Sequence, residues 1–470
     1  MLKTIKPKKL ILTVLFLVLL TAAPAMVQAA NNFTVEINNR HQTIEGFGGA
    51  IAWYHHRLVD HLNKDQIYQK IYDDLNIDIL RIQNWYGKET YHGRPGDLFE
   101  ETIEVVDKAY QALGNDLKIM MSSWTPPPEM KSNEDQWGGT LARKDGEFIY
   151  DQFADYWYQS IIAHREAGVD IDYISIQNEP DYDTEEWNSC FFRSLETYKY
   201  PGYNKALDAV YERLQGLKEK PKIIGPETIG IGYNTVQTFV DNLDKNKLDI
   251  IGFHLYHGGA DETRLYGWPD SFISDMHSLR NRFYPEMPMY QTEYHRGDGF
   301  NTAWIIHNSL VEQQVNAYLY WSLISTGDDG LIYIETTPES MVMSREEAAA
   351  LRWKHEDGYY IKDEYYALKH YSRFISPGYQ MVEVAGDNDS VKVSAFIGPK
   401  EENLVMVLLN TAKEQQTVQM DIPDFEYEDI ESYKTVFYEE NGPEFSPIGD
   451  INSDEDFKMP GTSLLTIVLN

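Results

Sequence analysis

The chain has 470 residues, 42% of them apolar and 13% aromatic, with 33 Tyr and 10 Trp. That composition supports a sizeable packed core and argues against disorder, and the length allows one large domain with a smaller companion, or two to three ordinary domains. A formal net charge of −33 sets nucleic acid aside as a partner, because phosphate binding needs the opposite field, and disfavours an anionic membrane surface for the same reason.

Residues 1–29 read as a signal peptide. Lys3, Lys6, Lys8 and Lys9 precede an apolar run from Leu10 to Leu20, and Val27-Gln28-Ala29 forms a small-residue cleavage pattern. An uncleaved anchor is the alternative, although the run is short for a membrane span. The expectation is a secreted, extracellular protein with no membrane association after cleavage. The lone Cys190 makes no intramolecular disulfide, so packing must hold the exported chain, and a monomer is expected. No Cys/His cluster resembles a zinc or haem site, and neither metal nor organic cofactor is expected.

Residues 30–42 contain an alternating strand with a turn at Asn38-Asn39, followed by a second strand that ends in glycines at 46–49. Short apolar strand candidates recur at 77–83, 117–124, 171–178, 222–226, 248–256, 287–293 and 316–323. Helix-period stretches lie between them at 58–74, 101–113, 147–168, 203–218, 271–283 and 300–313, with another at about 363–374. Strand and helix alternating eight times predict an α/β fold, a (β/α)8 TIM barrel over 43–374. The competing doubly wound sheet usually carries a glycine-rich phosphate loop after its first strand, and Gly46-Phe47-Gly48-Gly49 lacks the third glycine of that fingerprint. From 375 to 470 the pattern changes to strands and turns, predicting a β-sandwich side domain. The strand within 30–42 has no barrel position and is expected to join that domain. This tail is strongly acidic, with 19 Asp+Glu against 5 Lys+Arg from Met381 to Asn470, which we read as a solvated surface.

Catalytic groups of such a barrel sit where strands end, at the carboxyl face. Glu179, in "ISIQNEP", ends the fourth strand, and Glu293, in "MYQTEYH", ends the seventh. A single Glu after a strand is usually just solvated. Two at these strand ends, one of them inside Asn-Glu-Pro, point into one cleft from nearly opposite walls, the apparatus of glycoside hydrolysis. No Ser or Cys nucleophile motif competes. The acid needs a raised pKa, while the nucleophile must stay ionised, which an arginine would favour. Arg81, at the end of the second strand, is the candidate, with a surface salt bridge as the alternative reading. Trp53, after the glycine turn, is either a cleft wall or core packing.

"SIQNEP" with "YQTEYH" resembles the clan of retaining β-glycosidases built on this barrel. "QTIEGFGGAIAW", "SSWTPPPEMK", "FHLYHG" and "EYYALKHYSRFISPGY" resemble glycoside hydrolase family 30, whose barrel is fused to a β-sandwich. The resemblance implies Glu179 as general acid/base, Glu293 as nucleophile, Asn178 as a partner of the sugar 2-hydroxyl and Tyr256 as a contact to the nucleophile. It also implies Trp124 and Trp321 as walls of the cleavage subsite; Arg81 matches an arginine the clan often places there, and Tyr294, next to Glu293, is a further substrate-binding candidate.

The xylan-degrading branch of that family looks most similar, which implies a polysaccharide partner of xylan type. Its glucuronoxylan-specific members grip a uronic acid branch with an arginine after strand eight. The corresponding loop here reads "ISTGDDGLIYIETTPESMV", with Asp328, Asp329 and Glu335 and no arginine before Arg345. The expectation is therefore an endo-xylanase-like enzyme with weak demand for a uronic acid branch, Arg296 being the substitute that could grip one. The long segment 330–364 is expected to shape the cleft. The alternatives are a hydrolase of β-1,6-glucan, β-1,6-galactan or glucosylceramide, or a carbohydrate-binding protein without activity.

Overall fold

The computed structural model describes residues 30–88, 97–256, 268–295, 297–335, 357–386, 388–440, 442–449, 451 and 456–470. The leader at 1–29, Arg296, Arg345 and the middle of the 330–364 segment lie outside them.

Eight parallel strands close into a barrel: Gly46–Ile51, Ile79–Gln83, Lys118–Ser122, Tyr173–Ser175, Lys222–Thr228, Ile250–His254, Met289–Glu293 and Ala317–Tyr320. The eighth pairs in parallel with the first, from Ala317 opposite Gly46 to Tyr320 opposite Gly49. These strands read as nearly unbroken apolar runs because both of their faces are covered. Inside the barrel, Ile79, Met120, Tyr173, Ile224, Ile250, Tyr290, Ala317 and Leu319 form a closed layer. The first strand needs its glycines for close approach, since a Cβ on Gly48 would lie 1.8 Å from the Ile79 carbonyl oxygen.

Helices at Leu98–Leu113, Tyr150–Glu166, Tyr203–Leu214, Ile273–Phe283, Gly299–Val311 and Asp363–Ser372 surround the strands. The first of these is capped by Asp97, whose carboxylate accepts from the N–H groups of Phe99 and Glu100 at 3.1 and 3.0 Å. The expected helix at 58–74 is instead two short helices, His55–Val59 and Lys64–Gln69, with a wide turn from Lys70 to Asp74. A short helix at Thr235–Asp241 follows the fifth strand. Among the described residues no helix is long and apolar enough to cross a membrane.

The described ends of the 330–364 segment are not plain loop. Ile324–Ser325, Ile332–Ile334 and Tyr359–Ile361 make a small three-stranded sheet between strand eight and the last helix.

Asn31–Thr43 does join the side domain, pairing antiparallel with Gln380–Gly386 and parallel with Gln416–Asp421. The side domain is one mixed sheet of nine strands that curls around its own core. That core draws Phe33 and Val35 from the chain's start and Leu465, Ile467 and Leu469 from its end. His370, on the last barrel helix, bonds Thr466 and Thr435 of this sheet and docks it on the barrel.

Candidate active site

The carboxyl end of strand four aims its polar residues at the barrel axis. Past Ser175 the chain leaves regular pairing, and the Asn178 N–H donates to the Ser123 carbonyl at 2.8 Å. The Glu179 N–H donates to the Glu227 carbonyl at 2.9 Å. Glu179 and Glu227 both adopt left-handed backbone conformations, with φ of 46° and 56°. A non-glycine residue there costs on the order of 1–3 kcal/mol and persists only where surrounding contacts over-determine it, a pattern found at active sites.

Oxygens of Glu179 and Glu293 and a ring nitrogen of His254 all lie within 4.8 Å of one another. Arg81 is fully buried beneath them, so it is not a surface salt bridge. Its Nη1 donates to Glu293 Oε2 at 2.5 Å, its Nη2 to Asn178 Oδ1 at 2.7 Å, and its Nε to Ser122 Oγ at 3.1 Å. Nη2 also lies 3.1 Å from Glu227 Oε1, and the Trp124 ring covers the guanidinium at 4.4 Å. The Tyr256 hydroxyl donates to Glu293 Oε1 at 3.0 Å. Burial drives that phenol's pKa far up, with the Glu293 charge adding to it, so it stays a donor.

His254, buried on strand six, links the carboxylates. Its Nδ1 is 2.9 Å from Glu179 Oε1, and its Nε2 is 3.7 Å from Glu227 Oε1 and 3.8 Å from Glu293 Oε2. Burial pulls its pKa down, but Glu293, Glu179 and Glu227 outweigh burial and raise it to about 10. The ring is therefore held as an imidazolium at neutral pH: Nδ1 donates to Glu179, while Nε2 faces Glu227 and Glu293 as a charge at 3.7 and 3.8 Å without a hydrogen bond. Glu179 goes the opposite way to an ordinary carboxyl: burial pushes its pKa up to about 7, Glu293 and Asp181 add to the rise, and His254 opposes it. The pair therefore presents one carboxyl that holds a proton near neutral pH and one surrounded by donors.

Trp53, Trp124 and Trp321, expected to wall the cleavage subsite, pack together in one cluster. Trp124 packs edge-on to Trp53 with ring centres 5.5 Å apart and lies 5.6 Å from Trp321. Trp53 also packs against Trp85 at 5.5 Å, so it serves the core as well as the wall. Asp329 accepts the Trp321 indole N–H at 3.1 Å and a bond from the Ser325 hydroxyl. Tyr294, expected to bind substrate, is fully buried, with its ring against Tyr256 and Phe272.

Sequence reasoning missed His254, Glu227, Ser122 and Trp85. The signal for Glu227 was present, because it is a carboxylate at a strand end like the other two. His254 and Tyr256 are two apart in "FHLYHG", the spacing that puts both on one face.

Among the described residues, Glu179, His254 and Glu293 are also the set spaced to hold a metal ion. Arg81 already binds Glu293 and the His254 charge faces both carboxylates, so a further cation meets two positive groups there.

No protein-family model matches the chain. It is 24% identical over 407 residues to the glucuronoxylanase XynC of Bacillus subtilis, covering 84% of this chain and 81% of that one. The catalytic domain of a GH30 xylanase C from Talaromyces cellulolyticus superposes with a TM-score of 0.72 at 17% identity, covering 93% of this chain and all of that one. An endo-β1,6-glucanase superposes with a TM-score of 0.66 at 16% identity, covering 93% and 94% of the two chains. At such identities these structural likenesses speak for the fold alone.

Proposed function

The chain belongs to glycoside hydrolase family 30, and on that premise we propose that it is a retaining β-glycoside hydrolase acting on xylan-type polysaccharide at β-1,4-xylosidic bonds, without strict need for a glucuronic acid branch. The observation that carries the reading is the approach of Glu179 and Glu293 oxygens to within 4.8 Å. Retaining enzymes hold their carboxyls about 5–5.5 Å apart, whereas inverting ones leave about 6.5–9.5 Å for a water.

The chemistry proceeds in two displacements. Protonated Glu179 gives its proton to the glycosidic oxygen as a Glu293 oxygen attacks the anomeric carbon; the carbon–oxygen bond to the leaving sugar breaks and an ester to Glu293 forms. Glu179, now a carboxylate, then takes a proton from water as the water oxygen attacks the same carbon, and the ester breaks to restore Glu293. Arg81 and Tyr256 fix the nucleophile and receive its charge when the ester leaves. Because Asn178 Oδ1 is held by Arg81, its amide NH2 remains to donate to a sugar 2-hydroxyl. The tryptophan wall offers apolar faces for a pyranose ring.

The similarity to a glucuronoxylanase supports xylan as the substrate class. The loop after strand eight supports weak branch dependence. It offers Asp328 and Asp329, and the Asp329 carboxylate is spent on Trp321 and Ser325. The leader supports action outside the cell.

The deciding experiment is a chromatographic product profile on glucuronoxylan, unbranched xylan and a β-1,6-glucan, with Glu293→Gln alongside. Xylo-oligosaccharides from both xylans, absent with the variant, are the expected result. Activity on the β-1,6-glucan alone keeps the mechanism and removes the substrate. Reducing ends that appear equally with Glu293→Gln remove the mechanism.

A further inference from the structure

The two displacements leave a buried carboxylate of the site, Glu227, unused. Glu227 ends strand five fully buried, strained in the left-handed region, and closed in on every side. Strand two presents Arg81, 3.1 Å from Oε1; strand three presents Ser122, whose hydroxyl donates to Oε2 at 3.0 Å. Strand six presents His254 at 3.7 Å, and beyond that ring stands Glu293 of strand seven. The end of strand four presents Glu179, bonded through its backbone N–H, with Asp181 two residues on. The following helix presents the Tyr203 phenol, which burial and the Glu227 charge hold protonated.

The cations at the centre of this site are Arg81 and His254, and the groups contacting them include three carboxyls. The ensemble is neutral when two carboxyls are ionised and one is protonated. Attack requires Glu293 ionised and leaving-group departure requires Glu179 protonated, so Glu227 must supply the second negative charge. We propose that Glu227 is a positioning residue: the buried counter-charge to Arg81 and His254 that lets Glu179 keep its proton, and the anchor that aims both cations at the reacting carboxyls. Burial raises the Glu227 pKa, but Arg81, followed by His254, overrides burial and holds it well below the usual carboxylate range, as a permanent anion requires. The inference rests on the assignment of Glu179 as the acid.

Glu227→Gln keeps the shape and removes the charge, leaving the site one charge more positive. Glu179 should then release its proton earlier, and the alkaline limb of kcat/KM on an unactivated oligosaccharide should move down by about one pH unit. On a dinitrophenyl glycoside, whose leaving group needs no proton, the variant-to-parent ratio should stay level with pH across that limb. Glu227→Asp restores the charge and should return the limb most of the way; if the Gln variant does not fold, an Asp variant with a smaller downward shift carries the test. A limb that stays in place or moves up in whichever variant folds overturns the inference, even if the rate falls. The acid assignment is checked separately. Glu179→Ala should be accelerated by azide on the dinitrophenyl glycoside and should release a β-glycosyl azide. Missing rescue removes the acid, whereas intact rescue with an unmoved Glu227 limb removes only the counter-charge.

Discussion

Arg81 Nη1 sits 2.5 Å from Glu293 Oε2 while its other guanidinium nitrogens hold Asn178 and Ser122, so a single buried fork fixes four groups of the site when Glu227 is counted. Lysine cannot reproduce that fork, because its ammonium is one point charge. Arg81→Ala leaves Glu293 and Glu227 buried without their cation, and breaking a buried pair this way costs about 3–5 kcal/mol. We expect Arg81→Ala to lower the melting temperature by several degrees and kcat/KM by about a thousandfold. Arg81→Lys should recover part of the stability and little of the rate. Lysine activity within about tenfold of the parent, measured on an aryl glycoside, would show that charge alone suffices.

The pH dependence follows from Glu179, whose pKa stands at about 7 against 4.5 for a free Glu. Activity should fall as pH rises through about 7, because the proton needed by the leaving group is lost. Stability has the same sign. A carboxyl raised on folding contributes fully below about 4.5, and that contribution is lost as pH rises through about 7, by roughly 3 kcal/mol. Glu179→Gln carries no charge at any pH, so it should gain over the parent at pH 8 relative to pH 5. Denaturant midpoints at the two pH values measure this, and equal differences at both would contradict it.

Much of this site was readable because burial writes itself into sequence. Parallel barrel strands covered on both faces appear as apolar runs, and "ISIQNEP" marks where such a run ends in polar groups. Glu227 escaped because Pro226 looks like a strand terminator, yet the strand runs on to Thr228. His254 escaped because a lone histidine among Phe253 and Leu255 reads as a core residue; only the meeting of strands four, five and seven around strand six gives it three carboxyl neighbours. The short helices before the second strand and after the fifth lack enough turns for a periodic signal.

Tyr256 tests whether the nucleophile depends on a hydrogen bond it can lose without a change of shape. Its hydroxyl bonds Glu293 Oε1 at 3.0 Å and meets His295 Nδ1 at 3.2 Å, while its ring packs on Tyr294. Tyr256→Phe keeps the packing and deletes a bond to a charged group, about 1.5–3 kcal/mol or roughly ten- to a hundredfold in rate. We expect kcat to fall on every substrate with the melting temperature nearly unchanged. If KM alone rises, the phenol contacts substrate rather than steadying the nucleophile.

Acid should unfold this protein through histidines that serve no catalysis. Burial lowers the pKa of His164 to about 4 and those of His307 and His370 to about 3, from 6.5. Each is folded in its neutral form, so its contribution is fully present above about pH 6.5 and is lost as pH falls towards its folded value. His370 matters most for architecture: its two nitrogens meet Thr466 Oγ1 at 2.7 Å and Thr435 Oγ1 at 3.0 Å, where the last barrel helix meets the side sheet. Charging that ring means placing a buried cation close to the Lys369 ammonium. At pH 4 this one residue should cost about 3 kcal/mol relative to pH 7. His370→Gln should be less stable than the parent at pH 7, yet lose less on going to pH 4, because an amide has no proton to take up. Denaturant unfolding at the two pH values gives both numbers. An equal drop in parent and variant would move the acid sensitivity to His164 and His307, away from the junction between barrel and side sheet.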